Sequence, residues 1–401
     1  METSSRKPLK EFPFDDALNL ACNAVSPLPV QAMPLARAIG FRSALQVFST
    51  VSIPPHRNSA MDGWALPDPG SNDDGYFVAG SDTPVPANHA VRVLTGHSAP
   101  DWSFCVAAEE HCRMKGNRLF PPGNYPFGMN LREAGEDARP GDLLLSRGEL
   151  LDPTRVARLA SAGISRVHAH RQPKIVILTS GDELVRPGLG RSSSEQKYEC
   201  DSILLHALLL NLGLECRILP HQPDSPAIIQ ETLNRLSRWD LLITCGGAAN
   251  SEADHSRPVL ASLGTTFLFE RIAMKPGRPT AFGLWKNRPV FCLPGNPVAV
   301  FVAFHVLVRP VLDVLCGGLS TPPHAPLAVL QEAIPADPKR VQFVRITLAP
   351  TKSGLGARPY PDSGSALIRS LTDSDGLIRI NPGVSLKAGD SVPLAWYRSS
   401  N

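Results

Sequence analysis

The sequence predicts a multidomain α/β protein: a mostly parallel three-layer α/β sheet domain, small β-rich domains and a C-terminal β-barrel-like domain. Three observations predict it. Between residues 173 and 317, wholly apolar strand-like runs alternate with helical runs, the pattern of a parallel sheet covered on both faces. Phe48 to Gly141 holds only short β-like runs punctuated by Gly, Pro and Asn. From about Gly318 the texture is β-rich again.

Taken in order, Phe14–Val25 reads as an amphipathic helix, and a proline-rich passage leads to a second helical pattern around Leu35–Ala44. Short strands are expected at Tyr76–Ala79, Ala90–Leu94, Cys105–Ala108 and Arg118–Phe120, then at Leu143–Ser146. Asp152 as N-cap and Pro153 as first helical residue open a helix to Ala162. The parallel-sheet segment follows: strand Lys174–Leu178, helix Asp201–Leu212 stopped by Gly213, strand Cys216–Leu219, helix Ala227–Leu236, strand Leu241–Cys245 and helix Ser256–Leu263 stopped by Gly264. Apolar segments Thr265–Ala273 and Pro289–Leu293, read as consecutive strands, each run into a Pro-Gly turn, and a long helix starts at Asn296 or Pro297. Strands Val341–Leu348, Leu377–Ile380 and Ser391–Trp396 complete the chain, and Lys387-Ala-Gly-Asp390 is a turn of the same kind as Arg139-Pro-Gly-Asp142. The implied division is 1–47 with 143–172, a discontinuous helical and linker domain; 48–142; 173–317; and 318–401.

Bulk composition narrows the function. With 40 basic and 37 acidic residues the net charge is +3, which argues against a nucleic-acid surface built on bulk charge. The longest uninterrupted apolar run, Val298–Val308, is shorter than a membrane span and contains His305, so no membrane partner is expected. Eight cysteines without a C-x-x-C pair suggest neither disulfide framework nor zinc site, and the chain reads as cytoplasmic. No G-x-S-x-G, H-E-x-x-H or P-loop pattern occurs.

The chemistry concentrates in turns. Lys275-Pro-Gly-Arg-Pro279 sets two cations, Lys275 and Arg278, beside a tight turn, and Leu293-Pro-Gly-Asn-Pro297 opens a helix. Exposed N–H groups near clustered cations describe a phosphate or oxyanion site, with Pro294, Gly295 and Asn296 at the helix start. The loop Thr179-Ser-Gly-Asp-Glu183 sets Asp182 and Glu183 after a buried strand, as Mg²⁺ ligands or as a solvated helix cap. Gly246-Gly247 offers close backbone approach, with Asp254 at the loop's far end. Asp62-Gly63 is either a plain hairpin turn or a carboxylate displayed between Met61 and Trp64. Asn130–Asp137 reads as a charged turn.

These motifs, in this order, resemble the molybdopterin molybdenumtransferase family, which includes bacterial MoeA and the E domain of gephyrin. The resemblance runs nearly end to end and rests on Asn58-Ser-Ala-Met-Asp-Gly63, Arg92-Val-Leu-Thr-Gly96, Gly135-Glu-Asp137, Thr179-Ser-Gly-Asp-Glu-Leu184, Gly246-Gly247 with Asp254, and the two Pro-Gly turns. It implies a molybdopterin-binding type of parallel-sheet domain and a homodimer that takes adenylylated molybdopterin, releases AMP and inserts molybdate with Mg²⁺. By that resemblance Asp62, Glu183, Lys275 and Arg278 are catalytic; Thr95, Asp137, Gly246, Gly247, Pro294, Gly295, Asn296, Arg345 and Ser365 bind the cofactor; Asp182 and Asp254 hold the metal. Partners would be small-molecule substrates, a molybdopterin adenylyltransferase and recipient molybdoenzymes.

The chain departs from the family pattern at Ala249 and Ser251, where a serine and a glycine are usual, and at Tyr198-Glu-Cys-Asp201, where the pattern reads Tyr-Asp-x-Asn. Trp102 and Phe104 replace a glycine and an acid. A non-catalytic molybdopterin-binding or cofactor-chaperone paralogue is therefore the alternative, and adenylylation of molybdopterin by the parallel-sheet domain a third reading.

Overall fold

The computed structural model describes residues 11–80, 87–246, 255–318, 325–352, 354–361, 364 and 367–398. The chain forms two compact units, one of Met1–Gln31, Gly40–Ala44 and Ala169–Asn401, the other of Ala32–Ile39 and Leu45–His168.

The second of these is built on a six-stranded sheet in the order Cys105–Ala108, Gly63–Leu66, His89–Val93, Tyr76–Ala79, Arg118–Phe120, Arg113–Lys115. Trp64, Leu66, Tyr76, Cys105, Leu119 and Tyr125 form its core. Two short ribbons accompany it: Asn58–Ser59 against Leu131–Arg132, and Val47–Phe48 against Leu143–Leu145. Helix Pro153–Ser161 starts as its sequence dictates, with the Asp152 carboxylate accepting from the Arg155 N–H at 2.8 Å and Pro153 where no donor is needed. The helix expected around Leu35–Ala44 is absent; a single 3₁₀ turn, Leu35–Arg37, stands there. Gly40, in the left-handed region at φ 84°, ends the run before it can repay the cost of helix nucleation.

The other unit holds the parallel sheet, in the order Cys216–Ile218, Ile175–Thr179, Leu241–Cys245, Arg288–Leu293, Ala281–Trp285, Thr266–Phe269. The first four strands are mutually parallel. Alternation decides which side chains meet which layer. Ile175, Ile177, Leu241, Ile243, Phe291 and Leu293 pack with helices Phe14–Asn23, Asp201–Leu210 and Pro297–Leu315, whereas Val176, Leu178, Leu242, Val290 and Cys292 pack with Pro226–Asn234 and Ser256–Ser262. The strands read as consecutive, Thr265–Ala273 and Pro289–Leu293, are separated in the sheet by Ala281–Trp285. That strand hairpins onto Arg288–Leu293 through Lys286 and Asn287, both at positive φ (53° and 58°), as a two-residue hairpin turn requires.

The helix after the second Pro-Gly turn is continuous from Pro297 to Leu315, with a π-helical turn over Phe304–Val308. Pro310 explains that turn, because proline has no N–H for the Val306 carbonyl and its ring crowds that oxygen; the Arg309 N–H bonds Phe304 O instead. At 19 residues and mean hydropathy 2.1 this helix is long and apolar enough to cross a membrane, contrary to the sequence expectation, but 72% of it is buried inside the fold.

The C-terminal strands close into a barrel: Val341–Thr351 pairs Gly354–Pro359, then Leu327–Leu330, Ser391–Tyr397 and Gly376–Ile380, which pairs back with Val341–Thr351. The two sequence-related turns are alike in structure, with Gly141 and Gly389 at φ 95° and 94° and the Asp142 and Asp390 carboxylates accepting from the Arg139 and Lys387 N–H groups at 2.7 Å.

Candidate functional site

In the β-rich unit, Asp62 is held in one orientation. Its Oδ1 accepts from the Thr95 amide at 2.7 Å and from the Thr95 hydroxyl at 2.8 Å. Gly63 follows because a Cβ there would sit 2.2 Å from the Ala107 carbonyl oxygen. The Thr95 amide and then its hydroxyl hold the Asp62 carboxyl below the usual carboxylate range, with help from the charges of Arg92 and His97. Asp62 is exposed, and its second oxygen has no protein partner among the described residues. The structure thus brings Asp62 and Thr95 together, with Thr95 serving the carboxylate. Asp137 is exposed, tied by its backbone N–H to Ile53 O at 2.8 Å, its carboxylate without an ion pair among the described residues.

In the other unit three loops converge at the carboxyl ends of the parallel strands. A Cβ on Gly246, at φ 95°, would lie 2.3 Å from the Ser180 carbonyl oxygen, and one on Gly295 would lie 3.3 Å from the Gly246 Cα. Only glycine permits the first approach. The Ser180 hydroxyl is buried and has no hydrogen-bond partner among the described residues. Pro294 is buried; Gly295 and Asn296 are exposed, and the Asn296 side chain makes no cap bond to helix Pro297–Ala303.

Asp182 is held by Asp224, a residue not among those expected at the site. The Asp182 carboxylate accepts from the Asp224 N–H at 3.0 Å, and the Asp224 carboxylate from the Asp182 N–H at 3.2 Å, leaving each carboxylate one oxygen without a partner among the described residues. His221, assigned nothing from sequence, donates from Nε2 to Gly181 O at 2.8 Å and accepts at Nδ1 from the Thr179 hydroxyl at 3.1 Å. Both follow strand Cys216–Ile218, and that position after a parallel strand was the available signal. Glu183 is exposed and folds back over Gly181, where a Cβ would meet its Oε2 at 2.9 Å.

Beside these loops lie two buried acids. Glu199 accepts from the Ser202 amide at 2.7 Å and the Ser202 hydroxyl at 2.6 Å. Asp201, with Oδ1 unpartnered, has its carboxyl pushed up to about 7 by burial and then by the Glu199 charge.

The first Pro-Gly turn departs from expectation. Met274–Lys275 joins the barrel strand Val341–Thr351 in parallel, with Lys275 opposite Gln342. Lys275 is exposed and makes no ion pair among the described residues, whereas Arg278, expected to meet an anion, is ion-paired with Glu11. Arg345 is buried in the barrel and donates to Gly364 O at 3.3 Å. Gly247, Asp254 and Ser365, together with Ala249 and Ser251, lie outside the described residues. Among the described residues no three His, Cys, Asp or Glu side chains group as a metal site. The free oxygens of Asp182 and Asp224 nonetheless suit Mg²⁺, which takes oxygen ligands, needs only one or two carboxylates and keeps several waters.

The chain is similar to known proteins along nearly its whole length. Residues 12–163 match the MoeA N-terminal region (domain I and II), residues 176–314 a probable molybdopterin binding domain, and residues 327–395 the MoeA C-terminal region (domain IV). The chain is 32% identical over 336 residues to a molybdopterin molybdenumtransferase of Haemophilus influenzae, covering 81% of this chain and 80% of that one. It is 26% identical to the Staphylococcus aureus protein of the same name, over 100% of this chain and 98% of that one. The crystal structure of a molybdopterin biosynthesis MoeA protein from Pyrococcus horikoshii superposes with a TM-score of 0.77 at 25% identity, over 97% of this chain and 100% of that one.

Proposed function

We propose that this chain, which belongs to the family of molybdopterin molybdenumtransferases and is a transferase of molybdenum cofactor biosynthesis, inserts molybdate into adenylylated molybdopterin with release of AMP. The observation that carries the reading is the convergence of the Ser180, Gly246 and Gly295 loops at the carboxyl ends of the parallel strands, where the Ser180 hydroxyl has no hydrogen-bond partner among the described residues. Loops that meet at the ends of parallel strands, one of them opening the helix at Pro297 without a side-chain cap, suit an oxyanion.

Each residue has a physical task under this reading. Lys275, exposed and without an ion pair among the described residues, offers an ammonium to offset the charge of the pyrophosphate link or molybdate. Asp62, kept ionised by Thr95, is a weak base; it orients a donor or a cation instead of abstracting a proton. Asp182 and Asp224 would hold Mg²⁺, which when bound lowers the repulsion between phosphate oxygens and an incoming anion. The reading includes a cytoplasmic homodimer supplied by a molybdopterin adenylyltransferase and delivering to molybdoenzymes; eight free cysteines fit a reducing compartment.

The test is AMP release from adenylylated molybdopterin by the purified chain, with molybdate and Mg²⁺ each present and absent. Molybdate-dependent release is expected. Tight binding without release would replace the transferase by a carrier of molybdopterin.

A further inference from the structure

Phe127 is 71% exposed, the most exposed large apolar side chain among the described residues. Local geometry puts it there. Pro126–Met129 is a tight turn, closed by the Met129 N–H to Pro126 O at 3.2 Å, with Gly128 at φ 77°. That turn is anchored on both sides, by the Gly128 N–H to Phe104 O at 2.8 Å and the Val106 N–H to Met129 O at 3.0 Å. The next residue, Asn130, accepts from the Ala60 N–H at 2.8 Å, which sets the turn against the segment that carries Asp62.

Two neighbours hold the ring. Phe104, the residue that replaces an acid of the family pattern, packs against it at 5.3 Å and 74°. The Arg57 guanidinium stands 5.8 Å from the ring centroid. Arg57 is itself fixed, donating to the Glu133 carboxylate at 2.8 Å and to Ser103 O at 2.7 Å. An aromatic face kept in water on an anchored turn and backed by a fixed cation is prepared for a flat, electron-rich ring.

We infer that Phe127, supported by Phe104 and Arg57, is a stacking shelf that positions a flat heterocycle of the substrate beside Asp62. The inference rests on the transferase reading, whose substrate carries two such rings, an adenine and a pterin. Stacking tolerates either, since it reads a π-face and not a hydrogen-bond pattern. Phe127 is a binding residue here and takes no part in bond making.

The experiment compares F127L, which keeps apolar volume without a π-face, with F127Y and F127W in molybdate-dependent AMP release. F127L is expected to raise KM roughly ten-fold with kcat within about two-fold, and the aromatic variants to retain wild-type KM. Titration of F127W with AMP alone and with pterin-6-carboxylate alone, followed by tryptophan fluorescence, identifies the ring that stacks. Wild-type KM in F127L, or quenching by neither probe, overturns the shelf. A change in sedimentation of F127L with unchanged KM also overturns it, in favour of a protein contact. Failure of the wild type to release AMP while F127W binds a probe would sink the transferase reading and leave the shelf standing.

Discussion

Lys275-Pro-Gly-Arg-Pro279 and Leu293-Pro-Gly-Asn-Pro297 are near copies in sequence and part company in the folded chain. The first leaves the parallel sheet: Lys275 pairs with a barrel strand and Arg278 is tied to Glu11. Its glycine is required by conformation, at φ 105°, and the atom a Cβ would meet, 2.9 Å away, is the flexible end of Met274. The second ends a parallel strand and starts a helix, and its glycine is favoured by proximity, since a Cβ there would lie 3.3 Å from the Gly246 Cα. A Pro-Gly signal specifies a tight turn; what the turn touches depends on strands far away in sequence.

Four experiments probe that contrast, from the largest effect to the smallest. Gly246→Ala attacks the floor of the second turn, forcing a Cβ to 2.3 Å from backbone at positive φ. Chemical denaturation should show a loss above about 3 kcal/mol, and a smaller loss would mean the three loops are looser than described.

The same edge buries Asp201, whose carboxyl titrates near 7 when folded. Its unfolded value is near 4, so the folded state holds an extra proton between the two values and stability falls as pH rises through that window. Asp201→Asn should therefore be the more stable form at pH 8 by on the order of a few kcal/mol, with the difference growing from about pH 4 to 7 and flat above. Parallel stability curves for the two proteins would show that Asp201 is not buried as acid.

Third, Gly277→Ala should cost about 1–3 kcal/mol from its backbone conformation, and Gly295→Ala less, because it needs only a few tenths of an ångström from Gly246. Equal melting temperatures would erase the distinction between conformation and proximity. Fourth, Lys275→Ala should weaken binding of adenylylated molybdopterin roughly ten-fold, by loss of one unpaired cation. Arg278→Ala should change it less, because the Arg278 charge is already offset by Glu11. Isothermal titration of both variants decides; the reverse order would return Arg278 to the site.

What was legible in the sequence was whatever local chemistry dictates. Apolar strands, the Asp152–Pro153 helix start and the paired Arg139-Pro-Gly-Asp142 and Lys387-Ala-Gly-Asp390 turns are encoded within a few residues. Leu35–Ala44 misled because its composition is helical while Gly40 limits it to one turn. The strand Ala281–Trp285 was overlooked between two louder turn signals. Asp224 and His221 gave only the general signal of a place after a parallel strand, and the Phe104–Phe127 pair gave none, since their significance lies in partners 42, 40 and 23 residues away: Asp182, Gly181 and the ring of Phe127 itself.

By itself the sequence determined the fold class, the positions of about half of the strands among the described residues, and the family whose motifs it carries, because periodicity, capping and glycine chemistry act over one or two turns of chain. Only the tertiary structure decided which Pro-Gly turn completes the strand-end cradle, which cation stays unpaired, and which carboxylate is buried. Those depend on the register of strands brought together from across the chain, and burial and charge pairing have no meaning until that register is set.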